Sequence, residues 1–214
     1  MTSLPPLYVS YYTIDTGYEL EAAGLLSTLE AFKLQHHVAG VTPRSAGRTW
    51  SWDRATQYKA EFIRDMQDRH PGEPIVWLDA DARVVQRPRL FEWLNCDLAA
   101  HWYRNKELLS GTLYFAPGAD SRAVVEAWIG RNRLRPHGRC ADQRNLQQVI
   151  GECRGLRIVN LPPEYAWIDA GTGGDLSARA YGRRYPVIVH RQASRRLKKH
   201  LQTSPAETVE EPVV

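Results

Sequence analysis

The sequence predicts an α/β protein that begins with a strand, a helix and a second strand. The first strand is the short apolar run at residues 7–12, and a polar turn follows it. The helix covers about residues 18–34, where apolar residues recur every three or four positions. Residues 37–41 form the second strand, which completes the pattern of a nucleotide-binding βαβ unit. A later run, residues 75–78, follows proline and glycine turn signals and is predicted to be a buried central strand.

The remaining elements follow from the same two periodicities. A helix is predicted up to about Arg69, because apolar residues between positions 55 and 66 fall on one face. After the central strand, the predicted elements are a short helix at 90–94, a strand at 97–102, a turn feeding a strand at 110–118, helices at 121–129 and 143–150, and strands at 156–161 and 186–190. Asp142 is expected to cap the helix at 143–150, since its carboxylate can accept hydrogen bonds from free amide groups.

Length and composition point to one domain. The chain has 214 residues, a net charge of +4 and 43% hydrophobic residues, which is enough for a substantial core. We expect the domain to span residues 1–201, and the polar residues 202–214 to form a disordered tail. No apolar run approaches the roughly 18 residues of a membrane span, and the first residues lack a signal-peptide pattern. Three cysteines without metal-binding spacing fit reduced thiols, so a cytoplasmic location is expected.

Two common nucleotide-binding motifs are missing from the sequence. No glycine-rich dinucleotide fingerprint follows the first strand, and no phosphate-loop lysine motif occurs. A dehydrogenase or a P-loop enzyme is therefore not expected. The mildly basic charge permits a phosphate-bearing partner without requiring one.

Asp79 and Asp81 follow the central strand directly. In an extended chain, residues two apart point to the same side, so the two carboxylates are expected to converge. Adjacent carboxylates repel each other unless a cation lies between them. Hard divalent ions such as Mg²⁺ and Mn²⁺ prefer oxygen ligands, and the carboxyl ends of strands are where α/β sheets bind ligands. An Asp-x-Asp sequence also begins ordinary turns, so its place on a buried strand is what favours a metal site.

Several other residues have two interpretations. Lys59 lies beside the apolar stripe of its helix, as either a side chain that extends to solvent or a cation directed at phosphate. His190 ends the last predicted strand, where a single histidine is more often a core or capping residue than a ligand. The loop at residues 171–175 is either an exposed turn or a lid. The basic run at 179–199 is either a solvated face or a surface for nucleic acid or anionic lipid. Four tryptophans could be either core anchors or platforms on which a sugar or base stacks: Trp50, Trp52, Trp102 and Trp167.

Four blocks of sequence, taken in order, resemble glycosyltransferases of the GT-A fold. The blocks are residues 76–82, 110–115, 142–143 and 187–190, and the resemblance extends over residues 7–200. Their order matches the retaining, glycogenin-like and bacterial galactosyltransferase-like members. The resemblance implies a single GT-A (Rossmann-like) domain, with a mixed, mostly parallel sheet flanked by helices and a nucleotide-sugar at the strand ends.

The resemblance also implies roles for individual residues. Asp79, Asp81 and His190 are expected to bind a Mn²⁺ or Mg²⁺ ion that bridges the diphosphate. Asp142 and Gln143 match the pair that contacts the donor sugar near its reacting carbon, and they are the expected catalytic residues. The expected donor-binding residues are Tyr11, Thr13, Lys59, Asp79, Gly111 and Thr112.

The implied function is metal-dependent transfer of a sugar, with retention, from a nucleoside diphosphate sugar to an acceptor hydroxyl. A uridine diphosphate sugar is the expected donor, and the acceptor is a glycan, a lipid, a protein or a modified DNA base, which would have to be flipped out of its duplex. Three alternatives remain open. A sugar nucleotidyltransferase usually has a basic loop after the first strand, and residues 13–17 contain none. A metal-dependent nuclease would need more carboxylates near the pair, and a nucleotide-binding module would not need all of these groups together.

Overall fold

The computed structural model describes residues 4–42, 44–45, 48–49, 52–135, 141–169 and 175–193. The helices are α1 (Tyr18–Ala31), α2 (Trp52–Arg69), α3 (Ala119–Leu134), α4 (Ala141–Glu152) and α5 (Leu176–Tyr181), with 3-10 turns at Arg89–Glu92 and Pro163–Tyr165. The strands are β1 (Leu7–Thr13), β2 (His36–Val41), β3 (Arg44–Ser45), β4 (Arg48–Thr49), β5 (Ile75–Leu78), β6 (Ala82–Val84), β7 (Leu98–Tyr103), β8 (Glu107–Phe115), β9 (Ile158–Asn160), β10 (Trp167–Ile168) and β11 (Ile188–His190).

The main sheet has six strands in the order β2-β1-β5-β8-β7-β9. The strands β2, β1 and β5 are parallel neighbours, and β9 is parallel to β7. The strand β8 runs antiparallel to both of its neighbours, β5 and β7. Parallel neighbours need long crossovers, which α1 and α2 provide, whereas β7 and β8 need only a tight hairpin. The prediction of an α/β fold with a mixed, mostly parallel sheet is confirmed.

The central strands alternate their side chains between two apolar layers. Ile75 and Trp77 face the layer built with α2, α3 and α4, whereas Val76 and Leu78 face the layer that includes α1. All four residues of β5 are buried, which explains why the strand is continuously apolar in sequence. Helices therefore flank both faces of the sheet, as predicted.

A second, three-stranded sheet has the order β10-β11-β6. The strand β6 follows β5 after a short turn, and β11 pairs with it in antiparallel fashion. In this pairing Ile188 lies opposite Val84 and His190 lies opposite Ala82. The end of β11 is thereby brought to the turn that carries Asp79 and Asp81.

The segment that begins at Ser110 differs from the prediction. Instead of a turn, it is part of the nine-residue strand β8. The pairing of β8 with β7 shifts so that Ala100 faces Leu113 while His101 faces Leu109. Residues 110–112 are left without partners in β7, as in a β-bulge, and the bulge accommodates the turn-like Ser-Gly-Thr sequence within a strand.

Several predictions concern residues outside the described ranges. They are the stacking role of Trp50, the lid at residues 171–174, the basic residues of 194–200 and the tail at 202–214. Within the described ranges, no helix has both the length and the apolar character that crossing a membrane requires.

Candidate functional site

The aspartate pair lies in the turn between β5 and β6. The Ala82 amide donates to the Asp79 carbonyl oxygen at 2.8 Å, and the Asp79 amide donates to the Gly111 carbonyl oxygen at 2.9 Å. One ligand atom from each of Asp79, Asp81 and His190 lies within 4.8 Å of the other two. The turn brings the carboxylates together, rather than the strand alternation assumed from the sequence.

His190 is held between a hydroxyl group and a carboxylate. Its Nε2 lies 2.8 Å from Thr112 Oγ1, and its Nδ1 lies 3.6 Å from Asp81 Oδ1. Gly111 lies against the ring, because a Cβ atom there would be 2.9 Å from His190 Cε1 and 3.0 Å from Nδ1. Thr112 is fully buried and contacts the histidine, while Gly111 leaves the space that the imidazole fills.

Asp81 is fixed by the segment that follows β11. Its Oδ2 accepts a hydrogen bond from the Ala193 amide at 2.8 Å. Burial by itself raises the pKa of the Asp81 carboxyl, but the hydrogen bond and charge of His190 and the Ala193 amide outweigh burial, so the pKa lies below its usual value. The carboxylate therefore stays ionised within the cluster.

Lys59 of α2 is a buried cation between two carboxylates. Its Nζ lies 2.8 Å from Asp79 Oδ1 and 3.5 Å from Asp142 Oδ2, and it donates to the Ser110 carbonyl oxygen at 3.1 Å. Burial lowers the pKa of Lys59, but the charges and hydrogen bonds of both aspartates raise it above its ordinary value. Its side chain is 6% exposed, so it does not extend to solvent. Its polar contacts are to the two carboxylates and to Ser110, and its predicted contact with phosphate stays a prediction.

Trp77 provides a second contact to Asp79. The indole Nε1 donates to Asp79 Oδ1 at 2.8 Å, and Lys59 Nζ lies 5.3 Å from the centroid of the indole ring. Two donors thus fix one oxygen of Asp79. The side chain of Asp79 is still 39% exposed, so the carboxylate remains accessible.

Asp142 lies in the first turn of α4 and is buried. Its Oδ2 accepts from Ser110 Oγ at 3.4 Å. Burial raises the pKa of the Asp142 carboxyl, Lys59 opposes this, and the charge of Asp79 adds to it, so the pKa lies above its usual value. The helix begins at Ala141, so Asp142 lies inside it instead of capping it.

Gln143 is anchored at both ends of its amide. Its Oε1 accepts from the Ser110 amide at 3.3 Å, and its Nε2 donates to Glu107 Oε1 at 2.9 Å. Both partners belong to β8, so the bulged strand sets the orientation of this side chain.

Two pockets meet at this cluster. The tyrosine pocket has a volume of about 260 Å³, and its lining includes Tyr11, Tyr12, Thr13, Tyr18 and Trp52. The histidine pocket has a volume of about 140 Å³, and its lining includes Leu109, Gly111, Ala166, Ile168, His190 and Gln192. Four residues line both pockets: Asp79, Asp81, Ser110 and Gln143. A molecule in one pocket therefore borders a molecule in the other.

Tyr11 and Thr13 reach the tyrosine pocket from β1. The Tyr11 ring is mostly buried, with its centroid 5.4 Å from that of Trp77, and its hydroxyl donates to the Ala55 carbonyl oxygen. Burial raises the pKa of Tyr11 well above its ordinary value. Thr13 Oγ1 lies 3.0 Å from Thr16 Oγ1. Tyr11 thus has a packing role. Both residues line the tyrosine pocket, and their expected contact with the donor stays a prediction.

The structure brings the predicted site residues into one region, and it adds two that sequence reasoning missed. Trp77 lies two positions before Asp79 on the same strand face, so strand periodicity carried a signal for it. Ser110 contacts Lys59 through its backbone carbonyl and hydroxyl. A backbone contact of this kind leaves no signature in the sequence.

The donor set of Asp79, Asp81 and His190 is compatible with a divalent cation. The two carboxylates are oxygen ligands, which hard ions prefer, and the imidazole is a nitrogen ligand typical of transition-metal sites. Thr112 is hydrogen-bonded to His190, and the Ala193 amide donates to Asp81, and contacts of this kind hold metal ligands in a fixed orientation. The exposed carboxylate of Asp79 leaves a side open to a substrate.

No protein-family model and no curated protein matches this sequence. Among solved structures, a glycosyltransferase involved in glycosylation of the major capsid of PBCV-1 aligns over 94% of this chain and 100% of its own, with a TM-score of 0.67 and 12% identity. The glycosyltransferase GlyE of Streptococcus pneumoniae TIGR4 aligns over 87% of this chain and 55% of its own, with a TM-score of 0.57 and 13% identity. Its apo form gives a TM-score of 0.56. The chain spans about half the length of GlyE. This chain has the fold of these glycosyltransferases, and the predicted GT-A-like domain is confirmed at the level of the fold.

Proposed function

We propose that this protein is a metal-dependent glycosyltransferase that moves a sugar from a nucleoside diphosphate sugar to an acceptor hydroxyl. The observation that carries the proposal is the junction of the two pockets, where Asp79, Asp81 and His190 converge beside the buried Lys59–Asp142 pair. The junction lies where the central strand β5 ends, which is a ligand-binding edge of α/β sheets. The shared fold adds support, because it extends over nearly the whole chain.

In this proposal Asp79, Asp81 and His190 hold a Mn²⁺ or Mg²⁺ ion. Such an ion supplies positive charge that stabilises the diphosphate as it leaves the sugar. For the ion-bound state we assign the imidazole hydrogen to Nε2, where it is donated to Thr112 Oγ1. Nδ1, which lies 3.6 Å from Asp81 Oδ1 and donates towards it when the imidazole is protonated, would then offer its lone pair to the ion.

Lys59 positions the carboxylates on either side of it. Breaking the bond between sugar and phosphate leaves positive charge on the sugar ring, which a fixed carboxylate or amide oxygen stabilises. Asp142 is the carboxyl group that we assign to this role, and Lys59 and Ser110 hold it in position. Because these contacts exist before the substrate arrives, the site needs little reorganisation during the reaction.

The assignment of retention rests on Asp142 and Gln143. Gln143 lines both pockets and is held by Ser110 and Glu107, so its amide lies where donor and acceptor would meet. An amide and a carboxylate on one helix turn suit a reaction in which both partners approach from the same side.

The tyrosine pocket is the proposed site for the nucleoside. Aromatic rings stack on nucleobases, and Trp52 is 36% exposed beside Tyr18 and Tyr12. A uridine diphosphate sugar is the donor that we propose to test first.

Thermal unfolding with a panel of nucleoside diphosphate sugars, each with Mn²⁺ and with EDTA, tests this proposal. A ligand that binds only the folded state raises the melting temperature. We expect one sugar nucleotide to raise it with Mn²⁺ and not with EDTA. Asp81→Asn is expected to abolish the shift, because it removes a charged ligand of the ion.

Asp120→Asn is the matched control, since Asp120 is exposed on α3. It should keep the full shift. A wild-type protein whose melting temperature responds to no sugar nucleotide, or responds equally in EDTA, contradicts the proposal.

A further inference from the structure

We propose that the histidine pocket binds the acceptor, that the acceptor unit is a neutral saccharide, and that the side-chain amide of Gln192 recognises its hydroxyl groups. The inference rests on the proposed function and extends it to the acceptor. The pocket of about 140 Å³ adjoins the tyrosine pocket along Asp79, Asp81, Ser110 and Gln143. A molecule in it lies next to a donor whose diphosphate is held at the aspartate pair.

Gln192 is anchored through both of its neighbours. The Arg191 amide donates to the Asp81 carbonyl oxygen at 3.3 Å, and the Ala193 amide donates to Asp81 Oδ2 at 2.8 Å. Between them Gln192 has a left-handed backbone conformation with φ of 55°, which residues other than glycine, asparagine and aspartate rarely adopt. The backbone therefore fixes Gln192 at the wall of the pocket, next to a proposed ion ligand.

The amide of Gln192 makes no hydrogen bond to any described residue, although the residue is half-buried and lines the pocket. Gln143, the other amide in the lining, is already bonded at both ends. An amide offers two N–H donors and a carbonyl acceptor, which complement a hydroxyl group that both donates and accepts. Of the two amide side chains in the described lining, Gln192 is thus the one with capacity for a new ligand.

The charge of the pocket argues against an anionic acceptor. Among the described lining residues there is no arginine or lysine, while Asp79 and Asp81 contribute two carboxylates. A phosphate group would find no arginine or lysine among these residues. With the proposed ion bound, the two carboxylates and the donor diphosphate together still carry more negative charge than the ion neutralises, so an acceptor phosphate would be repelled. A neutral hydroxyl-bearing ring avoids this cost.

The residue types in the wall of the histidine pocket argue against a flipped nucleobase. Bases taken out of a duplex are held by stacking on aromatic side chains. The described lining has no phenylalanine, tyrosine or tryptophan, and its apolar part is Leu109, Ala166 and Ile168. Aliphatic side chains of this kind suit the C–H face of a saccharide, with the hydroxyl groups turned to Gln192.

The transfer step balances with these components. The acceptor oxygen forms a bond to the anomeric carbon of the donor, and the bond from that carbon to the phosphate oxygen breaks. The bonding pair leaves with the nucleoside diphosphate, and the hydroxyl proton passes to the departing phosphate oxygen.

Saturation-transfer NMR on the full chain with UDP and the diamagnetic ion Mg²⁺ tests the inference. The probes are the methyl glycosides of glucose, galactose and mannose, with glycerol phosphate and hydroxymethyldeoxycytidine as anionic and nucleobase probes. We expect signals from UDP and from at least one methyl glycoside. Gln192→Ala should weaken binding of that glycoside about tenfold, as loss of a hydrogen bond does, and leave the UDP signals unchanged.

Gln192→Asn is the second variant, because asparagine suits the left-handed backbone but is one methylene shorter. It should also weaken the glycoside signal while the melting temperature is maintained. Gln35→Ala is the matched control. Gln35 is an exposed glutamine just before β2, and its side-chain amide donates to Glu73, so its loss should leave both signals unchanged.

The outcomes separate the two proposals. Absence of UDP signals overturns the uridine donor assigned under the proposed function, and with it this inference, which is stated for the complex with that donor. Three outcomes overturn the acceptor assignment and leave the donor proposal standing. The first is UDP signals without a glycoside signal, and the second is a glycoside signal that persists in both Gln192 variants. The third is a signal from glycerol phosphate or hydroxymethyldeoxycytidine alone.

Discussion

The imidazole of His190 occupies space that a single methyl group at Gly111 would fill. A Cβ atom there would lie 2.9 Å from His190 Cε1, so the ring would have to move while Thr112 holds its other side. We expect Gly111→Ala to weaken Mn²⁺ binding by about tenfold or more, as displacement of a group that orients a metal ligand does. Calorimetric titration with Mn²⁺ in the presence of UDP measures the effect.

Gly130→Ala provides the comparison at the residue scale. Gly130 lies in α3, and a Cβ atom there meets no heavy atom within 4 Å. This variant should bind Mn²⁺ normally and gain up to about 1 kcal/mol of stability from helix propensity. Equal Mn²⁺ affinities for the two variants would show that the ring position does not matter for the ion.

The buried carboxyl of Asp142 has a pKa above its usual value, which makes stability depend on pH. Such a group stabilises the fold at low pH, and this contribution is lost as the pH rises through its folded-state pKa. Asp142→Asn is neutral at every pH. Without metal, we expect it to have a larger free energy of unfolding than the wild type at pH 7, by about 1.4 kcal/mol per pKa unit.

Urea unfolding in EDTA at pH 7 and near pH 4 checks this prediction. The advantage of Asp142→Asn should shrink towards the lower pH, because a larger fraction of the wild-type carboxyl is then protonated. A variant less stable than the wild type at pH 7 would mean that attraction to Lys59 outweighs the burial of the charge.

Lys59 connects three elements, because it extends from α2 to the end of β5 and to the first turn of α4. Removing one partner from a buried ionic group leaves uncompensated charge and typically costs about 3–5 kcal/mol. We expect Lys59→Met to lose a free energy of unfolding in this range, measured by urea in EDTA. The long apolar side chain keeps most of the packing of the lysine stem.

The double variant Lys59→Met/Asp142→Asn should recover part of this loss, because the buried charge of Asp142, which Lys59→Met leaves uncompensated, is then gone. Arg64→Met is the matched control on the same helix. Arg64 pairs with Asp65 at 2.8 Å in a partly exposed position, and such pairs contribute about 0–1 kcal/mol. A loss for Lys59→Met no larger than that for Arg64→Met would contradict the connecting role.

At the scale of the whole molecule, the domain is predicted to end by residue 201. Residues 202–214 lie outside the described ranges, so the disordered tail stays a prediction from composition. A chain shortened to residues 1–201 should have the same free energy of unfolding within about 0.5 kcal/mol, because surface changes remote from packed groups rarely do more. A larger loss on urea unfolding would show that the tail packs on the domain.

Local patterns in the sequence predicted the main layers of the molecule, because strand and helix periodicities are local properties. Asp79 and Asp81 were recognisable as a candidate metal site because a buried apolar strand precedes them. The burial of Lys59 could not be predicted, because its sequence position puts it only at the edge of the apolar face. Its burial depends on Asp142, which lies far along the chain. The bulge at residues 110–112 and the contacts of Ser110 depend on register with β7, which no local pattern encodes. His190 was noticed at the end of a predicted strand, but its role as an ion ligand, like the donor-binding role of Gly111, was implied by the resemblance alone.

The short strand β11 brings His190 to a turn that was made about a hundred residues earlier. During translation the parallel strands β2, β1 and β5 leave the ribosome well before this histidine. At 5–20 residues per second the delay is roughly 5 to 20 s. In that interval the nascent chain has its aspartate pair but lacks the third proposed ligand. The growing protein therefore cannot complete its ion site, and with it the proposed activity, until nearly all of the fold has been synthesised.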